Sequence, residues 1–266
     1  MSQYGSAGIL IPYAAPFASQ KSPKRFVPEL FLLCKGDSVS QENNIFIYEQ
    51  CMGLYEAPRD KVPPTSSQFS LPDMQAAKDV PCLVYNDLGA DVYSALGSGL
   101  VGEIIFTMNS ELRNQQEIWI PCNGEVVLIQ DFPELYQFLG NKYGGIKNES
   151  FALPPAVECP FTVSNAKEGV TPKFYPFIRT QTEIIEPYLG MIAMVADHGE
   201  PPASGYWTPA KGQSVPQGGT QDWEYLFELY QWAYSGSDGI TTNLPNLTAP
   251  KGYTYYIATG GQMASS

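Results

Sequence analysis

Four short landmarks recur three times, in one order, along this sequence. The first is a glycine opening an apolar, strand-like run: Gly8-Ile9-Leu10-Ile11, Gly102-Glu103-Ile104-Ile105 and Gly190-Met191-Ile192-Ala193. The second is an aromatic residue followed at fixed spacing by a small residue and a glycine: Phe31, Cys34 and Gly36; Trp119, Cys122 and Gly124; Trp207, Ala210 and Gly212. The third is a short helical pattern ending in tyrosine and a polar residue, Ile45 to Tyr48-Glu49, Phe132 to Tyr136-Gln137 and Trp223 to Tyr230-Gln231. The fourth is a Leu-Pro turn at Leu71-Pro72, Leu153-Pro154 and Leu244-Pro245. A unit of this size is near the lower limit at which a chain buries a sufficient core alone. Self-similarity at a period of about ninety residues therefore predicts that the sister copies cover one another, packed about an approximate threefold axis.

Each landmark has a local physical reading. The glycine after the small residue suits a turn with φ > 0 between a strand and the next element. In the middle copy Asp131 is placed to cap a helix, Pro133 sits in its first turn, and Leu135, Phe138 and Leu139 make an apolar stripe before Gly144-Gly145. The third copy repeats the stripe with Trp223, Leu226, Phe227 and Tyr230, ending at Gly236. Proline holds the preceding leucine extended, so Leu71, Leu153 and Leu244 are expected to act as pegs into the core. Closing strands are expected at Cys82 to Tyr85, Phe174 to Arg179 and Tyr253 to Thr259. The predicted fold class is α+β and β-rich, with short strands plus one short helix in each repeat.

Composition narrows the function classes. The chain has 266 residues and a net charge of −12, which disfavours nucleic acid as a partner because that affinity comes from Lys and Arg neutralising phosphates. Hydrophobic residues at 44% are enough for a core, and 24 Gly with 23 Pro fit a turn-rich β protein. No run approaches about 18 consecutive apolar residues, so no membrane insertion is expected. Residues Met1 to Leu10 show no basic stretch before an apolar run, so no secretory signal is expected. The Asn148-Glu-Ser150 and Asn246-Leu-Thr248 triplets are then idle as glycosylation sites. Five widely spread cysteines, Cys34, Cys51, Cys82, Cys122 and Cys159, form no paired C-x-x-C spacing and read as reduced, mostly buried thiols made in a reducing compartment.

The middle copy carries a family resemblance. Trp119-Ile-Pro-Cys-Asn-Gly124, then Pro133-Glu-Leu-Tyr136 with Gly140 and Tyr143-Gly-Gly145, then Phe151-Ala-Leu-Pro154, resembles the phage tail collar domain. The third copy, with Pro187-Tyr188-Leu189-Gly190-Met-Ile and Tyr255-Tyr256-Ile257-Ala258, is similar to the related microcystin-dependent-protein group. The first keeps Cys34-Lys-Gly36 and Phe69-Ser-Leu-Pro-Asp73 but lacks the Pro-Glu-Leu and Tyr-Gly-Gly segments. The resemblance implies three tandem collar-like repeats at 1–98, 99–186 and 187–266. It further implies a structural part of a phage tail or phage-tail-like injection machine, at a fibre tip or as a fibre/baseplate adaptor. Such a part is made in the host cytoplasm and carried on the particle. Its expected partners are other tail, fibre or baseplate proteins, with a host-surface glycan or protein as receptor. Collar domains in that family commonly sit in homotrimers, so one chain with three copies would supply its own trimer.

Function in repeat proteins often resides where copies differ. The third copy lengthens the path from Gly212 to Tyr230, the first adds a stretch from Pro58 to Ser67, and the second an excursion from Val157 to Lys173. Interaction candidates in these loops and beside them are Gln213, Gln217, Gln221, Tyr225, Arg59 and Lys61. Tyr225 cannot share a helix face with Trp223 and is free in principle to stack on a sugar.

Catalytic chemistry finds little support. His198 is the single histidine, so a Ser-His-Asp or Cys-His site would have to use it, and it is expected in a surface turn. Asp131 and Glu134 suit capping and dipole compensation better than acid/base work. No phosphate-cradling glycine loop is present, so no enzyme, metal or cofactor is expected. The competing readings are a free-standing carbohydrate-binding protein and a hydrolytic tail protein using paired carboxylates.

Overall fold

The computed structural model describes residues 8–14, 27–28, 30–77, 80–86, 97–108, 110, 118–196, 205–216 and 241–262. From 8 to 86 the elements are β1 (Ile9–Pro12), β2 (Phe31–Leu33), β3 (Ser38–Ser40), a 3-10 turn (Glu42–Asn44) running into α1 (Ile45–Cys51), β4 (Gln68–Ser70), β5 (Met74–Ala77) and β6 (Val80–Tyr85). From 102 to 179 they are β7 (Glu103–Thr107), β8 (Trp119–Pro121), β9 (Val126–Leu128), α2 (Pro133–Leu139), β10 (Ser150–Ala152), β11 (Thr162–Val163) and β12 (Tyr175–Arg179). From 190 onward come β13 (Ile192–Ala196), β14 (Trp207–Pro209), β15 (Ser214–Pro216), β16 (Thr241–Asn243) and β17 (Tyr253–Ala258). The protein is α+β and strongly β-rich.

The closing strands are the organisers. β6 takes β1 on one side and β2 on the other, β12 takes β7 and β8, and β17 takes β13 and β14, all antiparallel. Landmark aromatics sit opposite the ends of these strands, with Phe31 facing Tyr85, Trp119 facing Arg179 and Trp207 facing Ala258. Small two-stranded antiparallel sheets, β3 with β4, β9 with β10 and β15 with β16, follow each landmark turn. The turn glycines Gly36, Gly124 and Gly212 have φ of 74°, 76° and 72°, as expected from their spacing. Their amides donate to the carbonyls of Pro72, Pro154 and Pro245, so the second and fourth landmarks are hydrogen-bonded neighbours.

The opening strands meet pairwise. β1 pairs with β7 through Ile9↔Thr107 and Leu10↔Phe106, β7 pairs with β13 through Ile104↔Met194 and Glu103↔Val195, and Tyr13 bridges Met191. The Gly8 carbonyl accepts from Met108 at 3.1 Å, the Gly102 carbonyl from Ala196 at 2.9 Å, and the Gly190 carbonyl from Ala14 at 2.9 Å. Burial on both faces explains why these strands read as continuous apolar runs rather than alternating ones.

Strand alternation divides the core in two. Leu10, Ile104, Phe106, Ile192 and Met194 pack with Ile47 and Cys51 of α1 and Leu135 and Leu139 of α2. Ile9, Ile11, Ile105, Ala193 and Val195 join Trp119, Phe177 and Trp207 on the opposite face. Leu71, Leu153 and Leu244 are 1%, 2% and 2% exposed and belong to the helix-side cluster, so the pegs are where proline was expected to put them. Each such leucine contributes about 1.5–3 kcal/mol of apolar burial.

Two local expectations are corrected. Asp131 does not cap α2: Phe132 occupies the N-cap and has no polar side-chain atom to accept a capping bond, while Pro133 in the first turn removes one of the orphan donors. Gly144-Gly145 does not end the helix either. Gly140 does, at φ 56°, with its amide donating to the Tyr136 carbonyl at 2.7 Å. Gly145 serves a close approach, since a Cβ there would lie 2.5 Å from Phe151 Cα. The third helical pattern, Trp223 to Tyr230 with Gly236, lies outside the described residues, as do Asp197 and His198.

Candidate functional site

The sequence candidates part company in the structure. Gln213 closes its own turn: Nε2 donates to the Pro209 carbonyl at 2.5 Å and Oε1 accepts from the Lys211 amide at 3.0 Å. Arg59 is exposed in a turn, while Lys61 is committed to Asp37 by a 2.7 Å ion pair that holds its ammonium pKa above the ordinary lysine value. The Ser38 hydroxyl donates to the Val62 carbonyl at 2.8 Å, which ties the middle of the 58–67 stretch to β3 while residues 62–67 stay exposed. Gln217, Gln221 and Tyr225 lie outside the described residues.

The 157–173 excursion is a strap rather than a free loop over its middle part. β11 extends the sheet beyond β5, with Thr162↔Gln75 and Val163↔Met74. Asn165, 7% exposed, then fills a slot between three backbone groups: its Oδ1 accepts from the Asp73 amide at 2.6 Å, and its Nδ2 donates to the carbonyls of Glu56 at 2.6 Å and Leu71 at 2.9 Å. The Lys167 amide donates to the Leu54 carbonyl at 2.9 Å, and the Phe161 ring meets Phe106 edge-on at 5.4 Å between centroids. The segment from 54 to 75 is thereby tied to a stretch about a hundred residues later.

An apolar row faces outward on the β9–β10 pair. Val127 packs toward the core, and its neighbours Val126 and Leu128 are 56% and 44% exposed. Ile146, 61% exposed, stands on a loop whose amide donates to the Ser150 hydroxyl at 3.1 Å, opposite Leu128 in the register. Asn141 holds this loop in place, with its Nδ2 donating to the Ser150 carbonyl at 2.9 Å and the Gly144 carbonyl at 3.2 Å. The corresponding strand β3 carries Ser38 and Ser40 at its outward positions, and β15 begins with exposed Ser214. Three consecutive apolar residues, Val126-Val127-Leu128, offer no alternation by which the sequence could mark this strand.

Among the described residues, buried charge is concentrated in one cluster. Glu103 and Arg179, 3% and 0% exposed, come from the N-terminus of β7 and the C-terminus of β12. Ser98 donates to Glu103 Oε2 through both its amide and its hydroxyl, at 2.7 Å each. The Arg179 guanidinium donates to the Gln181 carbonyl at 3.0 Å and to Glu183, and lies over the Trp119 ring at 5.3 Å. A lone acid in Gly-Glu-Ile-Ile-Phe and a lone base in Phe-Ile-Arg-Thr were the sequence signals for it.

The thiols and carboxylates form no metal centre: among the described residues, no group of three or more His, Cys, Asp or Glu side chains is arranged to hold an ion. All five cysteines are free, and burial pushes each thiol up, that of Cys159 to about 12. Such thiols are neutral and unreactive near pH 7. Among the described residues no helix is long and apolar enough to cross a membrane.

A family model, the Phage Tail Collar Domain, matches residues 102–156. The match begins at the glycine before β7 and runs through the Trp119 landmark, β9, α2 and β10 to just past the Leu153-Pro154 turn, so it contains the outward apolar row. It supports a structural role in a phage tail, in association with other tail proteins. No curated protein and no solved structure matches the chain.

Proposed function

We propose that this chain is a non-enzymatic component of a phage tail or phage-tail-like injection machine, built from three collar-like units at 1–98, 99–186 and 187–266 that pack about an approximate threefold axis. The observation carrying this reading is the recurrence of one bond. Gly8, Gly102 and Gly190 each accept, through the carbonyl, from a residue at the end of another unit's opening strand or within two positions of it: Met108, Ala196 and Ala14 respectively. Bonds related in this cyclic way are what a closed three-membered assembly requires. The same glycines donate through their amides to Tyr85, Arg179 and Ala258, the closing strand of their own unit. The collar match within the middle unit supports a phage tail as the setting.

In this reading the chain sits at a fibre tip or joins fibre to baseplate, and the apolar row Val126, Leu128 and Ile146 is the contact face toward a neighbouring tail protein. Units unequal in their outward residues suit a junction between parts of unlike symmetry. The mass of the purified chain in solution tests the first element. A value near 29.2 kDa agrees with an internal trimer, and one near three times that contradicts it. A cryo-EM map of the assembled particle tests the second, because a particle lacking density for this chain would remove the tail assignment.

A further inference from the structure

The first unit carries a template for what lies against the outer side of β9. The carbonyls of Asp37, Glu125 and Gln213 accept from the amides of the pegs Leu71, Leu153 and Leu244 at 3.0, 2.9 and 3.1 Å, so these residues, each following a landmark glycine, hold one place in the three units. At that place Lys61 pairs with Asp37 at 2.7 Å, and the carbonyl of the next residue, Val62, accepts from the Ser38 hydroxyl at 2.8 Å. A lysine and the valine after it, from the chain's own 58–67 stretch, are thus tied to the start of β3. The second unit has a shorter path between Tyr136 and Leu153 and no such stretch. Among the described residues no cation pairs with Glu125, whose Oε2 accepts from Asn123 Nδ2 at 3.2 Å. The third unit has Gln213 there and spends it inside its own turn.

The edge of β9 is open as well. The Ile129 amide donates to the Glu149 carbonyl and the Leu153 amide to the Glu125 carbonyl, so Glu125, Val127 and Ile129 turn their main-chain groups toward β10. Alternation then leaves the Val126 amide and carbonyl and the Leu128 amide on the outer edge, while the Leu128 carbonyl accepts from the Asp131 amide at 3.2 Å. An extended segment can pair along such an edge. Charge selects its kind. Exposed Glu125 and Asp131 bracket Val126 and Leu128 on a chain of net charge −12, so a second copy laid antiparallel here brings acid toward acid.

We propose that the outer edge of β9 receives an extended segment of a neighbouring tail protein in which apolar residues follow a lysine. The lysine pairs with Glu125 as Lys61 does with Asp37, and the apolar side chains cover Val126, Leu128 and Ile146. The proposal rests on the reading of this row as the contact face and adds the chemistry of its partner. Burial of the apolar row supplies most of the affinity, because an exposed ion pair contributes little. The pair instead sets which way the segment runs and which partners are refused.

Carbodiimide treatment of purified particles tests this, because the reagent condenses a carboxylate with a lysine amine in direct contact and the joined peptides are read by mass spectrometry. Glu125 is expected joined to a lysine of another particle protein, with apolar residues following that lysine, and the product is absent from Glu125→Gln particles. No product at Glu125, a product with a lysine of this chain from the same or a second copy, or a partner lysine without apolar neighbours overturns the proposal. Glu125→Lys, a change at an exposed site, should leave the thermal midpoint of the purified chain in place and lower incorporation into particles about tenfold, since like charges then meet across the contact. Incorporation equal to wild type overturns the proposal too. Should Glu125→Lys not fold, the joined peptides decide alone. Val126→Ser with Leu128→Ser keeps the two readings apart. If that variant loses incorporation while Glu125 gives no product, the contact face stands and the lysine-bearing partner falls; if it incorporates fully, the contact face falls with it.

Discussion

The backbone of Gly99 lies against that of Glu183 so closely that a Cβ on Gly99 would stand 2.2 Å from the Glu183 carbonyl oxygen, and Gly99 holds φ at +75°. Neither the clash nor the conformation can be relieved by a side-chain shift, because both partners are main chain. Gly99→Ala is therefore expected to destabilise the protein by about 2–4 kcal/mol. Urea denaturation measures it, and an unchanged midpoint would show that the segments carrying Gly99 and Glu183 are free to separate.

Asn165 is the keystone of the strap. Asn165→Ala leaves the Asp73 amide and the Leu71 and Glu56 carbonyls without this partner, at a cost of about 2–3 kcal/mol. Trypsin, acting at Lys167 and Lys173, should cut the variant faster than wild type under native conditions. Equal cutting rates would mean that β11 alone holds the strap.

The three leucine pegs invite a matched comparison. Leu71→Ala, Leu153→Ala and Leu244→Ala each empty a fully buried site and should each cost about 2–5 kcal/mol. Thermal unfolding of the three variants checks this. A peg whose removal costs less than 1 kcal/mol would mark a unit that does not share the common core.

Polar replacement of the outward row separates stability from assembly. Val126→Ser with Leu128→Ser removes exposed side chains and should change stability by less than about 0.5 kcal/mol. It should lower the fraction of particles that carry the chain, scored by quantitative mass spectrometry of purified particles. Undiminished incorporation would move the contact face elsewhere.

The legible part of this fold was the part written locally. Gly8, Trp119 and Leu244 announced a strand start, a strand and a turn because glycine, aromatic spacing and Leu-Pro act on their own few residues. The strand at Val126–Leu128 was missed because a three-residue strand leaves almost no period to read. The strap was beyond local reading altogether, since Asn165 meets Leu71 and Asp73 through contacts between sequence-distant backbone. Lys61 read as an interaction candidate, and only its partner Asp37 across the turn shows it is spoken for. The Glu103 and Arg179 pair was visible as two lone charges in apolar runs, but their shared burial depends on β7 and β12 lying side by side.

The strap also imposes an order on biosynthesis. A ribosome emitting this chain must deliver Val163 before β5 gains its outer neighbour, and Met191 before Tyr13 finds its bridge. The amino-terminal third therefore waits, incompletely closed, for two later instalments. A prematurely terminated product would display a bare strand edge, the surface on which aggregation starts.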